Sequence, residues 1–187
     1  MNGKALNANM LYYLFDSTNM HRWNDHLRTL DLSEMDKQAH KTAIAWVLGK
    51  CEEDAGAAID WHRLIEHNLF SFIQRIALTD LKPQVFHRIE EEKADDVSRY
   101  VLCEFDRSVP HTDEGFRKRF EEYLYSDRSS KEDAVIRAAH YLATKWEFDT
   151  IYEVNRSVYG IEDTKKEIDG QIGQHSDLAG VRDLMTK

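Results

Sequence analysis

The sequence predicts an all-α fold, a helical bundle built as a single domain, and three observations carry that prediction. Apolar residues recur at three- and four-residue intervals along most of the 187 residues. Two Ser-x-x-Asp starts, Ser33 with Asp36 and Ser130 with Asp133, have the form of capping boxes that open helices. No alternating apolar and polar run of useful length suggests a strand, and no internal repeat is present.

Residues 6–30 read as helix interrupted near Ser17 and Asn19, with Leu11, Tyr12, Phe15, Trp23, Leu27 and Leu30 as packing positions. The next helix, 34–50, ends near Gly49 and places His40, Ala43, Ile44 and Val47 on its apolar face. A third, 58–77, carries the stripe Trp61, Leu64, Ile65, Leu69, Phe72, Ile73 and Ile76, with Asn68 in it and His67 on its flank. Pro83 suits the first turn of a helix over 84–106, in two pieces around Lys93. Thr112 caps a helix to 125. From Ser130, the residues Val135, Ile136, Ala139, Leu142, Ala143 and Trp146 sustain a core-facing helix to 155, on which His140, Ala143 and Glu147 share a line. Trp46, Trp61 and Trp146 are expected in the core. Residues 162–172 form a short helix, and the rest reads as a loosely held tail, so 1–160 is expected as the main domain and 161–187 as a C-terminal extension.

Apolar residues at 42% and charged residues at 32% are ordinary for a folded soluble chain. A formal net charge of -9 excludes a broad nucleic-acid face, although a small anion in a local basic pocket stays compatible with it. No apolar run approaches a membrane span and no secretion leader opens the chain, so a cytoplasmic location is expected. Cys51 and Cys103 form no CxxC pattern.

The chemistry-bearing positions are few. His40, His67 and His140 lie on three separate helices, and imidazoles converging from different helices are how bundles build metal sites. The alternative for the same residues is that they are hydrogen-bonded core or surface histidines. For a ligand imidazole, Glu66, Asp36 or Glu147 would hold the second ring nitrogen. Arg22 can fork onto a phosphate and Trp23 can stack on a ring, or the pair can be a helix end with one aromatic anchor. The HExxH, EF-hand, Cys-rich zinc, GxxxxGK[ST], GxGxxG and GxSxG patterns are all absent.

An Arg-Trp pair, a lone His on the next helix, His67-Asn68 on the one after, the Thr79-Asp80-Leu81-Lys82-Pro83 loop and a late helical ligand position make an ordered set. That set resembles the HD-domain metal-dependent phosphohydrolases over roughly residues 8–155, in the branch like the bacterial 5'-deoxynucleotidases. The resemblance implies an HD-type helical bundle, a divalent metal, hydrolysis of nucleotide phosphomonoesters and a homodimer. It implies His40 and His67 as metal ligands, Asn68 where the doublet's aspartate stands, and His140 at or beside the late aspartate. Arg22 and Trp23 match the pair that meets phosphate and sugar, Asp80 matches the loop aspartate, and Ser71 stands where a catalytic acid is expected. Lys82 would add positive charge at the pocket mouth.

An amide and an imidazole in place of two carboxylates remove up to two negative charges from the ligand set. That shifts preference from magnesium or manganese toward zinc, nickel, cobalt or iron, with a divalent transition metal (Zn, Ni, Co, Fe or Mn) as the implied cofactor. Two function classes follow. One is a metal-dependent hydrolase of nucleoside 5'-monophosphates or related phosphomonoesters, in which Asp80 orients or deprotonates water and Arg22 offsets developing charge. The other is a catalytically inactive HD-like protein that binds a nucleotide-like ligand or a protein partner.

Overall fold

The computed structural model of the chain describes residues 7–78 and 83–185. Among these every extended element is helical: α1 (Ala8–Phe15), a 3-10 turn (Asp16–Asn19), α2 (Glu34–Asp54), α3 (Trp61–Ala77), α4 (Pro83–Ser108), α5 (Glu114–Leu124), α6 (Lys131–Asn155), α7 (Ile161–Gly173) and α8 (Ala179–Met185). The one departure is an isolated antiparallel bridge, His21 with Ser33. No described helix is long and apolar enough to cross a membrane.

Local chemistry explains the boundaries. Ser33 and Ser130 each accept from the backbone N–H three residues on, while Asp36 and Asp133 accept from the two cap backbones, so both capping boxes are formed. Lys93 has non-helical φ and ψ of -145° and 41°, which divides α4 at the expected point. The cap of α5 is Asp113, one residue past the expected Thr112, whose hydroxyl instead donates to the Val109 carbonyl. Gly49 does not end α2. It sits buried inside the helix because a Cβ there would lie 2.8 Å from the Trp61 ring. The expected helix over 6–30 stops at Asn19, and 21–32 is a loop in which Leu27 and Leu30 are exposed.

Contacts divide the chain into two compact units, one drawn from Met1–Met20 and Leu69–Arg128, the other from His21–Asn68 and Ser129–Lys187. The first has an aromatic core: Phe70 meets Phe116 and Phe120 at 5.3 Å between ring centroids, and Phe105 meets Phe120 at 5.1 Å. The second packs α2 against α6 and α8, and α6 against α7. Its core includes Ala45, Leu48, Leu64, Val135, Ala139, Phe148, Ile168 and Ile172. The tail expected to be loosely held instead docks α8 on α2, with Leu178 and Val181 buried.

The faces of two helices differ from expectation. α2 buries Glu34, Lys37, Lys41, Ala45 and Leu48, leaving Trp46 and Val47 exposed and His40 half-buried. The buried line is turned about 100° from the predicted one, since one residue is 100° of helix. On α3, Leu64, Phe72, Ile73 and Ile76 are buried as expected, while Ile65 faces outward. Trp146 is also exposed rather than in the core.

Candidate functional site

The polar side chains of the second unit converge between α2, α6 and the loop 21–33. That loop is closed at its base by the His21–Ser33 bridge and by the Arg22 N–H donating to the Leu32 carbonyl at 2.8 Å. Its far side is fastened to α6. Buried Asn155 accepts from the Leu27 N–H at 3.0 Å and donates to the Leu27 carbonyl at 2.8 Å, while the Thr29 hydroxyl donates to the Thr150 carbonyl. Trp23 has a φ of 57°, a left-handed conformation that costs a bulky residue about 1–3 kcal/mol. It turns the indole onto Phe148 and brings Nε1 to within 3.1 Å of Glu147 Oε2.

Arg22 and Trp23 are thus brought together, around a carboxylate of the protein itself. Arg22 donates from Nε to Glu147 Oε2 at 2.7 Å and from Nη1 to Glu34 Oε1 at 2.6 Å. Burial pulls the guanidinium pKa down, but Glu34 and Glu147 together hold it above its ordinary value. Glu147 is fully buried, and its Oε1 has no hydrogen-bond partner. A buried ion triplet of this kind is sensitive to removal of any one member, since the remainder is left as uncompensated charge.

One turn along α2, buried Lys37 points its amine into α6. Nζ donates to Thr144 Oγ1 at 2.6 Å and lies 3.3 Å from His140 Nε2. Thr144 in turn donates to the His140 carbonyl at 2.9 Å. Lys41, one turn further, is buried as well, and burial lowers its pKa to about 7 against the weaker opposite pull of Glu34.

The four residues expected to bind metal occupy separate settings. His140 Nε2 faces the Lys37 amine. His67 Nδ1 is 2.7 Å from Asp133 Oδ1, and Asp133 also takes the Ser130 hydroxyl at 2.6 Å. Desolvation pushes the Asp133 carboxyl up, but His67, Ser130 and Arg63 hold it below its ordinary range. Asn68 Nδ2 donates to Thr42 Oγ1 at 2.9 Å. His40 packs edge-on against Trp146 at 4.6 Å, with a buried Nδ1 that has no hydrogen-bond partner. Among the described residues no group of three or more His, Cys, Asp or Glu is placed to hold a metal ion. A divalent ion about 4 Å from the Lys37 ammonium would be repelled by roughly 8 kcal/mol at an effective dielectric near 20. The donor set therefore does not fit the metal that the resemblance implies. Asp80 and Lys82 lie outside the described residues.

The sequence pattern points to the imidazoles rather than to Glu34, Lys37, Lys41 or Thr144, while Glu147 is expected there only as a holder of an imidazole nitrogen. One signal for the charged face was available. Counting back from Leu48 and Ala45 by helical steps leads to Lys41, Lys37 and Glu34.

No family model and no curated protein sequence matches this chain. Among solved structures, the chain is similar to the crystal structure of an HD-domain phosphohydrolase from Listeria innocua. The two share 18% sequence identity with a TM-score of 0.73, over 95% of this chain and 85% of that one. The likeness shows the fold: an all-α bundle of the HD-domain type.

Proposed function

We propose that this protein is an HD-type binding protein that takes up a small phosphorylated, nucleotide-like ligand without metal-dependent hydrolysis. The observation that carries the reading is the Lys37 amine lying against His140 Nε2 and Thr144 Oγ1, where a metal-dependent site would need the imidazole lone pair turned to the ion. Lys37 and Arg22 present hydrogen-bond donors and no acceptors on this face, which suits the oxygens of an anionic ligand. The expected role of Lys82 as positive charge at the mouth of the site belongs to the same reading, whereas that of Asp80 belongs to a hydrolase.

The test is a paired screen of the full chain. Nucleoside monophosphates are offered to EDTA-treated protein with and without added manganese, cobalt, nickel or zinc, and both phosphate release and thermal unfolding are followed. The expected result is ligand-dependent stabilisation that needs no metal, with no phosphate release. Metal-stimulated release that disappears in His40→Ala and His67→Ala would overturn the reading.

A second reading, a metal-dependent phosphomonoester hydrolase, is favoured by the structural likeness to an HD-domain phosphohydrolase and by the buried, unpartnered Nδ1 of His40. The same screen separates the two.

A further inference from the structure

Resting on the non-hydrolytic reading, we infer that Lys37 supplies the resident cation of the α2–α6 interface: its amine takes the His140 Nε2 lone pair that a metal ion would need. Lys37 is only 6% exposed, and its amine has two α6 acceptors, Thr144 Oγ1 at 2.6 Å and His140 Nε2 at 3.3 Å. An ammonium offers donors and no acceptor, so Nε2 accepts and the ring proton sits on Nδ1. The Thr144 hydroxyl hydrogen goes to the His140 carbonyl, which leaves its oxygen lone pairs to Lys37. Lysine, imidazole and hydroxyl thereby close a small ring of hydrogen bonds across two helices.

The surrounding groups reinforce the arrangement. Glu34 and Glu147, the carboxylates on this face, are both held by Arg22. His67 pairs with Asp133 at the start of α6. A metal at His140 would therefore meet a fixed positive charge. The disagreement with the HD-type metal site lies in which side chain α2 directs into its interface with α6.

The experiment titrates Co²⁺ into EDTA-treated full chain and reads its visible d–d absorption, with far-UV circular dichroism as the check on folding. Wild-type protein is expected to show no saturable absorption. Lys37→His combined with Thr144→Asp places an imidazole and a carboxylate beside His140, and is expected to saturate at about one equivalent. Adding His140→Ala should abolish that gain. A measurement on wild-type protein holds even where the double variant does not fold. Nitrogen NMR of the imidazoles should find His140 with Nε2 accepting, unmoved by Zn²⁺ and shifted by Lys37→Met. Saturable cobalt in wild type that His140→Ala removes, a folded double variant that takes no cobalt, or a His140 ring that shifts with Zn²⁺ would each overturn the inference. Metal at His140 without phosphate release would leave the non-hydrolytic reading standing. Phosphate release with His140 unmoved would do the reverse.

Discussion

Truncating Glu147 tests whether the Arg22 cluster behaves as one buried unit. In Glu147→Ala the guanidinium, whose side chain is 11% exposed, keeps Glu34 as its carboxylate partner, and the Trp23 indole N–H loses its acceptor. Breaking a buried ion pair costs about 3–5 kcal/mol, and an unsatisfied buried donor costs about 1–3 kcal/mol. The two losses share one carboxylate and do not add. A total near 4 kcal/mol is expected, which for a chain of this size lowers Tm by roughly 10 °C. The assay is urea and thermal unfolding of wild type, Glu147→Ala, Arg22→Met and the double variant. The double variant should cost less than the sum of the two singles by at least about 1.5 kcal/mol, because removing both charges together leaves less uncompensated. Additivity within about 0.5 kcal/mol, or a Glu147→Ala cost below about 1 kcal/mol, would show a solvent-screened cluster and refute the reasoning.

Lys41 gives a pH signature. Its folded pKa of about 7 lies below the ordinary 10.5, so between those values the unfolded chain binds more protons and stability rises with pH. The rise has an upper bound of roughly 5 kcal/mol. Lys41→Met should stabilise the protein at neutral pH and flatten the alkaline rise in unfolding midpoint; parallel profiles for the two proteins would contradict this. Ser130→Ala removes the acceptor for the Asp133 N–H and should cost about 1 kcal/mol in chemical denaturation, whereas an unchanged midpoint would mean that the α6 cap contributes nothing. Gly49→Ala would ordinarily gain helix stability of up to about 1 kcal/mol. The 2.8 Å approach to Trp61 reverses the sign, and a loss of about 1–3 kcal/mol is expected from overpacking, measured by the same unfolding curves.

The helices were legible in the sequence because their signals are local. The two capping boxes, the break at Lys93 and most of the α3 stripe require no knowledge of partners. The HD type of the bundle entered through the resemblance of an ordered set of residues to that family, and the structural likeness bears out that fold. The site was read less well for a physical reason. Hydrophobic periodicity assumes that the buried face is the apolar one, and the first two turns of α2 bury two lysines and a glutamate instead. Arg22 and Lys37 reach the interior with partners over a hundred residues away, Glu147 and Thr144, and no window along the chain contains both members. Trp46 and Trp146 failed for the complementary reason: their aromatic character suggested burial, while the phase set by Ala45, Leu48, Ala143 and Phe148 turns them outward.

The long separation between these partners has a consequence during synthesis. Glu147 follows Arg22 by 125 residues, so at about 5–20 residues per second the ribosome delivers it roughly 6–25 s later. Through that interval the emerging α2 waits without the helix that will cover it. A face of Leu and Ile would be open to wrong associations for the whole delay. The first two turns of α2 instead show water a glutamate and two lysines, and become an interior only when the last third of the chain arrives. Polar groups that weaken the finished core thus keep the unfinished chain dissolved.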